Sequence, residues 1–141
     1  MSQAIQVLLV EDNPGDAELT RETLESGKLH VEISVVIDGA QAIDYLLRRA
    51  GYESVATPDL ILLDLNLPKV DGRQVLQELR KHESLRRVPV VILTSSDAEQ
   101  DVVKSYELGA NCYVSKPVGL AEFQAIVRSV EDFWFTVVKL P

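Results

Sequence analysis

Residues 58–72 read PDLILLDLNLPKVDG, and this stretch sets the architecture of the chain. Leu60 to Leu63 form an uninterrupted apolar run without alternation, which predicts a central strand buried on both faces. The run ends at Asp64, and the residues that follow it are typical of a loop. We therefore expect Asp64 at the carboxyl end of a buried strand, the edge of a parallel sheet where ligands bind. Because an ionised group at the end of an apolar strand is costly, we also expect something there to use it.

The rest of the chain alternates between predicted strands and predicted helices, with short connections between them. This alternation predicts an α/β fold, a doubly wound parallel sheet with helices on both faces. One strand, residues 31–35, alternates strictly between apolar and polar positions, as an edge strand does. The expected fold is therefore flavodoxin-like, with five strands in the order 2-1-3-4-5. The predicted strands are residues 5–10, 31–35, 60–63, 90–93 and 112–114.

Local signals place some of the boundaries. Asn13 is expected to cap the first helix, with Pro14 at its first position. Asp38 and Gly39 are expected to turn the chain after the second strand. The loop at residues 50–57 is longer than the fold requires, and the sequence predicts no role for it.

Composition bounds the domain count and excludes several classes of function. A length of 141 residues suits one domain, so we expect a single domain over residues 1–141 with no effector domain. The formal net charge is −8 without a basic stripe, which argues against direct nucleic-acid binding. No apolar stretch is long enough to span a bilayer, and no signal peptide begins the chain. A single cysteine, Cys112, allows no internal disulfide and fits a reducing cytoplasm.

Polar side chains stand at the carboxyl ends of four predicted strands. The first strand is followed by Glu11 and Asp12, the third ends at Asp64, the fourth at Thr94 and the fifth at Lys116. Parallel strands bring their carboxyl ends to one edge, so these side chains are expected to share one crevice. Three carboxylates brought together stay ionised only if a cation neutralises them. Oxygen ligands of this kind suit Mg²⁺ or Mn²⁺.

Such a crevice has the parts needed for phosphoryl transfer. Asp64 is the candidate nucleophile, which would form an aspartyl phosphate. The metal and Lys116 would offset charge on the phosphoryl oxygens, and Thr94 could donate a hydrogen bond to one of them. The chain contains no glycine-rich nucleotide loop, so the phosphoryl group is expected to arrive on a partner or a small donor. Taken singly, each residue could be a helix cap, a strand end or a surface charge, and only their convergence favours a site.

The motifs VEDN at 10–13, LDLNLP at 63–68, DG at 71–72, LTS at 93–95 and KP at 116–117 resemble a known family. They are similar to the receiver domain of two-component response regulators, the CheY-like family, over essentially the whole chain. The resemblance implies that Asp64 accepts phosphate from a histidine kinase. It also implies that Glu11, Asp12, Asp64 and the backbone carbonyl of Asn66 bind Mg²⁺, with Lys116 contacting the phosphoryl group.

The same resemblance implies a conformational switch. Thr94 and Tyr113 fall on the family's two switch positions, which bias a surface made by the fourth helix, the last strand and the last helix. Asn66 and Ser96 fall on positions that tune the lifetime of the phosphate. More narrowly, NCY at 111–113 and EDFWF at 131–135 resemble the response regulators that serve cyanobacterial phytochromes. The donor implied by that likeness is a red-light-sensing histidine kinase.

The carboxyl-terminal segment predicts self-association. Phe133, Trp134 and Phe135 are consecutive, so on a helix they point about 100° apart and cannot all enter one core face. Exposed aromatic surface usually marks an interface. We therefore expect a symmetric homodimer that uses the last helix and its neighbours, and output through contact with a downstream protein.

Two other classes of function stay open at this point. One is a scaffold that has the receiver fold but ignores phosphate, although Asp64, Glu11, Asp12, Thr94 and Lys116 argue against it. The other is an enzyme on a similar fold, either a metal-dependent phosphatase or a flavin-binding protein. The phosphatase would need an aspartate where Asn66 stands, and Glu11 with Asp12 would repel a flavin phosphate. The favoured function is a phospho-acceptor that acts only on itself, by self-phosphorylation and autodephosphorylation, and is not an enzyme for other substrates.

Overall fold

The computed structural model describes residues 4–27, 30–64, 72–94, 112–115, 119, 121 and 123–125. Within these ranges the five predicted strands are present, each ending within one residue of its predicted end. Residues 121 and 123–125 are helical, and the helix predicted after the fourth strand lies outside the described residues. The elements are β1 (Ile5–Val10), α1 (Pro14–Glu25), β2 (Val31–Val36), α2 (Gly39–Leu46), β3 (Leu60–Asp64), α3 (Gly72–Lys81), β4 (Val90–Thr94) and β5 (Cys112–Ser115).

The strands form one parallel sheet in the order β2-β1-β3-β4-β5, which confirms the predicted fold class and topology. Strand β3 lies at the centre, and all five of its residues are buried. Ile61 and Leu63 belong to the core on one face, while Leu60 and Leu62 belong to the core on the other. The sequence predicts that the run is unbroken because both faces of β3 are buried, and the structure confirms this.

Helices cover the two faces of the sheet. Helices α2 and α3 contribute Leu46, Val75 and Leu79 to one core, whereas α1 contributes Leu24 to the other. Phe123, in the helical residues near the end of the described chain, is fully buried on the same face as α1. In the described part of the chain no helix is both long and apolar enough to cross a membrane.

The first two helices begin at side-chain caps. The Asn13 Oδ1 accepts a hydrogen bond from the Asp16 N–H at 2.9 Å, with Pro14 at the first helical position, as the sequence predicts. Asp38 does more than turn the chain, because its Oδ1 accepts a hydrogen bond from the Gln41 N–H at 2.8 Å and so caps α2. Both caps lie at the carboxyl edge of the sheet, where they fix the loops that follow β1 and β2.

The long loop after α2 has a packing role that the sequence did not predict. Tyr52 packs against the core between α2 and α3, and its ring centroid lies 5.2 Å from that of Tyr45. Two non-glycine residues, Arg48 and Ala50, have positive φ angles of 56° and 55°, followed by Gly51 at 100°. This left-handed turn folds the loop back so that Tyr52 covers the end of the core.

Candidate functional site

The carboxyl edge of the sheet brings three carboxylates together. Strand β1 pairs with β3 so that Val10 lies opposite Leu63, and the residues that follow are Glu11, Asp12 and Asp64. One carboxylate oxygen from each of these three residues lies within 4.8 Å of the others. Glu11 is 1% exposed and Asp64 is 4% exposed, whereas Asp12 is open to solvent. Two of the three carboxylates in the cluster are therefore buried, and the third is exposed to solvent.

Glu11 is held by the elements on either side of β1. Its backbone N–H donates to the Val36 carbonyl at the end of β2, at 3.0 Å. Its Oε2 accepts a hydrogen bond from the Asn13 N–H at 3.2 Å. Since Asn13 also caps α1, the start of that helix and the position of Glu11 are set by the same turn. The positive end of the α1 dipole lies directly after the cluster and favours anions there.

The arrangement suits a hard divalent cation. Three carboxylates this close repel one another, and burying two of them raises that cost unless a cation neutralises them. All of the donors are oxygens, the ligand type that Mg²⁺ and Mn²⁺ prefer in proteins. Glu11, Asp12 and Asp64 therefore fit the divalent cation that the sequence predicts.

The other predicted site residues are only partly described. Thr94 is the last residue of β4 and pairs with Ser115 on β5, one position beyond the pairing of Asp64 with Leu93. Its backbone thus lies at the same edge as the carboxylates. Tyr113 pairs with Ile92 along β5. The side chains of Thr94 and Tyr113 are outside what the structure describes, and the remaining predicted residues lie outside the described ranges altogether: Asn66, Ser96, Lys116, Phe133, Trp134 and Phe135.

A supporting layer around β2 was missed by the sequence analysis. Asp38 is 5% exposed, and Gln41 uses its side-chain Oε1 to accept a hydrogen bond from the Ile37 N–H at 3.0 Å. The sequence does carry a signal for this pair, because a capping Asp followed three residues later by Gln matches the capping-box spacing. These residues do not belong to the carboxylate cluster, but they hold the strand end against which Glu11 is bonded.

Comparison with known proteins gives close relatives over nearly the whole chain. Response regulator Rcp1 of a Synechocystis species is 44% identical over 135 residues, which cover 96% of this chain and 92% of Rcp1. The crystal structure of the Mn²⁺-bound form of Rcp1 matches with a TM-score of 0.75 at 44% identity, covering 96% and 98% of the two chains. The phosphorylated cyanobacterial phytochrome response regulator RcpA matches with a TM-score of 0.79 at 42% identity, covering 99% of each chain. The bacteriophytochrome response regulator AtBRR matches with a TM-score of 0.82 at 47% identity, covering 94% and 96%.

These similarities support both the metal and the family. A Mn²⁺-bound relative, together with the acidic cluster of this chain, confirms that a divalent cation is the cofactor expected at this site. The family model for the response regulator receiver domain matches residues 7–128. Members of this family are the partners of histidine kinases in two-component phosphorelay signalling, which confirms the predicted role over its alternatives. The chain belongs to the response regulator receiver family.

Proposed function

We propose that this chain accepts a phosphoryl group from a histidine kinase on Asp64. The observation that carries the proposal is the cluster of Glu11, Asp12 and Asp64, whose carboxylate oxygens lie within 4.8 Å of one another at the carboxyl edge. Glu11, Asp12, Asp64 and the backbone carbonyl of Asn66 would hold Mg²⁺ or Mn²⁺. Asp64 ends the central strand and pairs with Leu93 on β4, while Leu63 before it pairs with Val10 on β1, so strand pairing sets where its carboxylate stands in the cluster.

The chemistry needs one nucleophile and a means of neutralising charge. A carboxylate oxygen of Asp64 attacks the phosphorus of a phosphohistidine, the P–N bond breaks, and its electron pair stays on the imidazole nitrogen. The product is an acyl phosphate on Asp64, which water later hydrolyses to inorganic phosphate and the original carboxylate. Glu11, Asp12 and Asp64 would hold Mg²⁺, which would supply positive charge against the repulsion between these carboxylates and the incoming phosphoryl oxygens. The chain thus acts only on itself, and we propose no enzymatic activity toward other substrates.

The remaining predicted roles belong to the same proposal. Lys116 would contact the phosphoryl group, and Thr94 would donate a hydrogen bond to it. Thr94 and Tyr113 would act together as the switch that changes a protein-binding surface. Asn66 and Ser96 would set how long the phosphate lasts. The output would then be contact between the switched surface and a downstream protein.

The proposed donor is a phytochrome-type histidine kinase. Support comes from the relatives, since RcpA is described as a cyanobacterial phytochrome response regulator and AtBRR as a bacteriophytochrome response regulator. The test is phosphotransfer from a purified, ATP-loaded phytochrome-type kinase, compared with a histidine kinase of another sensor class. We expect faster transfer from the phytochrome-type kinase, and equal rates from both would contradict this choice of donor. We place the exchange in the cytoplasm, where the ATP that loads the kinase is found.

The kinase must approach over the carboxyl edge, and exposed apolar side chains mark where it could dock. Leu19 and Ile37 are the large apolar residues that stand open among the described ones, at 49% and 53% exposure. Ile37 follows β2 at that edge, and Leu19 lies about 8 Å along α1 from Pro14, measured at the rise of an α-helix. We propose that both are apolar anchors for the kinase, Ile37 at the carboxyl edge and Leu19 on the helix that begins there.

Leu19→Ala is expected to slow phosphotransfer from the kinase by about tenfold, the effect of losing one central apolar anchor. Labelling by a small phosphodonor should be unchanged, because Leu19 is not one of the residues of the carboxylate cluster. Gln77→Ala, an exposed change on α3, is the matched control and should leave both reactions as they are. If Leu19→Ala slowed labelling by the small donor as much as phosphotransfer from the kinase, Leu19 would act on the phosphorylation site and not on docking.

We also propose a homodimer through Phe133, Trp134 and Phe135, which the composition of that segment supports. Light scattering over a concentration series should show a dimer for the native chain. Replacing the three aromatic residues with serine should return the monomer. A native chain that stays monomeric at high concentration would overturn the dimer without affecting the phosphoryl chemistry.

A further inference from the structure

The peptide unit between Val36 and Ile37 is hydrogen-bonded at both ends. Its carbonyl accepts from the Glu11 N–H at 3.0 Å, and its N–H donates to the Gln41 side-chain Oε1 at 3.0 Å. The carbonyl and the N–H of a trans peptide point in opposite directions from a rigid plane. A force that turns one end therefore turns the other, so the side chain of Gln41 is mechanically linked to the backbone of Glu11.

Gln41 is itself held in place at the start of α2. Its backbone N–H donates to the Asp38 Oδ1 at 2.8 Å, and Asp38 is buried with 5% exposure. The Ala42 N–H donates to the Asp38 carbonyl at 3.0 Å, which completes the first turn. The glutamine amide thus comes from a fixed helix terminus and reaches back to the residue after β2.

The link from Gln41 to the Glu11 backbone matters because Glu11 is a buried member of the carboxylate cluster. Its side chain is 1% exposed, and its Oε2 already accepts from the Asn13 N–H. Hydrogen bonds to its backbone and to its side chain thus hold Glu11 where its carboxylate lies close to those of Asp12 and Asp64. Strand β2 lies at the edge of the sheet, and within the described part of the chain Gln41 is what bonds the outer side of the strand's end.

We infer that Gln41 is a positioning residue for the cation site, acting through the Val36–Ile37 peptide on Glu11. Gln41 binds no metal and contacts no phosphoryl group in this role. The inference rests on the proposed function, because it assumes that the cluster of Glu11, Asp12 and Asp64 binds Mg²⁺. It assigns part of the affinity for Mg²⁺ to a side chain on α2, outside the acidic cluster.

The test compares Gln41→Met with Gln41→Glu. Methionine has nearly the same length but no oxygen acceptor, whereas glutamate keeps an Oε for the Ile37 N–H. For Gln41→Met we expect the Kd for Mg²⁺ by calorimetry to rise about three- to tenfold, less than for direct partners of metal ligands. The Mg²⁺ concentration for half-maximal labelling by a small phosphodonor should rise in step, with the maximal rate unchanged. Gln41→Glu should restore the native values.

A readout that does not depend on metal separates positioning from general destabilisation. In metal-free protein, the Glu11 amide of Gln41→Met should exchange its hydrogen faster than in the native chain, while the amide of Leu62 in the core should not. Gln77→Met is the control for placing a methionine on an exposed helix position. Gln77→Met should change neither the exchange rates of the Glu11 and Leu62 amides nor the affinity for Mg²⁺.

The outcomes distinguish the two proposals. A native chain that binds no Mg²⁺ would overturn the proposed function, and the exchange measurement would still test the link from Gln41 to Glu11. Native binding with an unchanged Kd in Gln41→Met would overturn the inference alone. The inference would also be overturned if Gln41→Glu bound Mg²⁺ as weakly as Gln41→Met does, because the acceptor oxygen would then have no role.

Discussion

An Asp64→Asn variant is expected to take up no phosphoryl group at any concentration of Mg²⁺. The carboxamide that replaces the carboxylate has no anionic oxygen to attack phosphorus, so the acyl phosphate cannot form. The fold should survive, because asparagine has nearly the same shape and the cluster then holds two negative charges in place of three. Intact mass after incubation with acetyl phosphate and Mg²⁺ measures the result directly.

Asp59→Asn is the matched control for this variant. Asp59 precedes the same strand at its opposite end, is exposed, and accepts a hydrogen bond from the Gln6 N–H at 2.9 Å. Its loss removes the same charge from the same segment without touching the carboxyl edge. We expect Asp59→Asn to gain one phosphoryl group as the native chain does. Equal labelling of Asp64→Asn would contradict the assignment of the acceptor.

Asp12→Asn is expected to weaken Mg²⁺ binding while stabilising the metal-free protein. Removing a ligand should cost at least the roughly 10–100-fold in affinity seen for outer partners of metal ligands. In the absence of metal, however, the change relieves repulsion among three carboxylates that lie within 4.8 Å of one another. Because Asp12 is exposed, its loss opens no cavity in the core. Calorimetry with Mg²⁺ and thermal unfolding in a chelator measure the two effects.

The control for Asp12→Asn is Glu18→Gln on the exposed face of α1. It removes one negative charge close in sequence but outside the cluster. Its affinity for Mg²⁺ should stay near the native value, and its melting temperature in chelator should not rise as that of Asp12→Asn does. If Asp12→Asn melts lower than the native chain in chelator, repulsion in the cluster is not the dominant interaction of that carboxylate.

The carboxylate cluster could be predicted because two simple rules act together. The apolar run before Asp64 indicates a strand buried on both faces, and the run before Glu11 indicates its neighbour. Parallel strands then place both carboxyl ends at one edge, whatever the details of packing. The order of the strands followed from the alternation of elements and from the polar positions of one edge strand. Side-chain chemistry and strand direction were enough to bring these residues together.

The parts that could not be predicted depend on backbone geometry. The role of Gln41 exists only because the Ile37 N–H and the Val36 carbonyl belong to one peptide plane with partners on both sides. The loop after α2 turns through positive φ at Arg48 and Ala50, residues that give no sequence signal for that conformation. Local propensity is weak at such positions, and contacts formed by the rest of the fold decide them.

Locating the phosphoryl group on the native chain tests directly whether Asp64 is the acceptor. The protein is incubated with acetyl phosphate with Mg²⁺ or with a chelator, reduced with borohydride to trap acyl phosphates, digested and sequenced by mass spectrometry. We expect a reduced residue at Asp64 with Mg²⁺, and none in chelator. A mark at another carboxylate, or no mark at all with Mg²⁺ present, would contradict it.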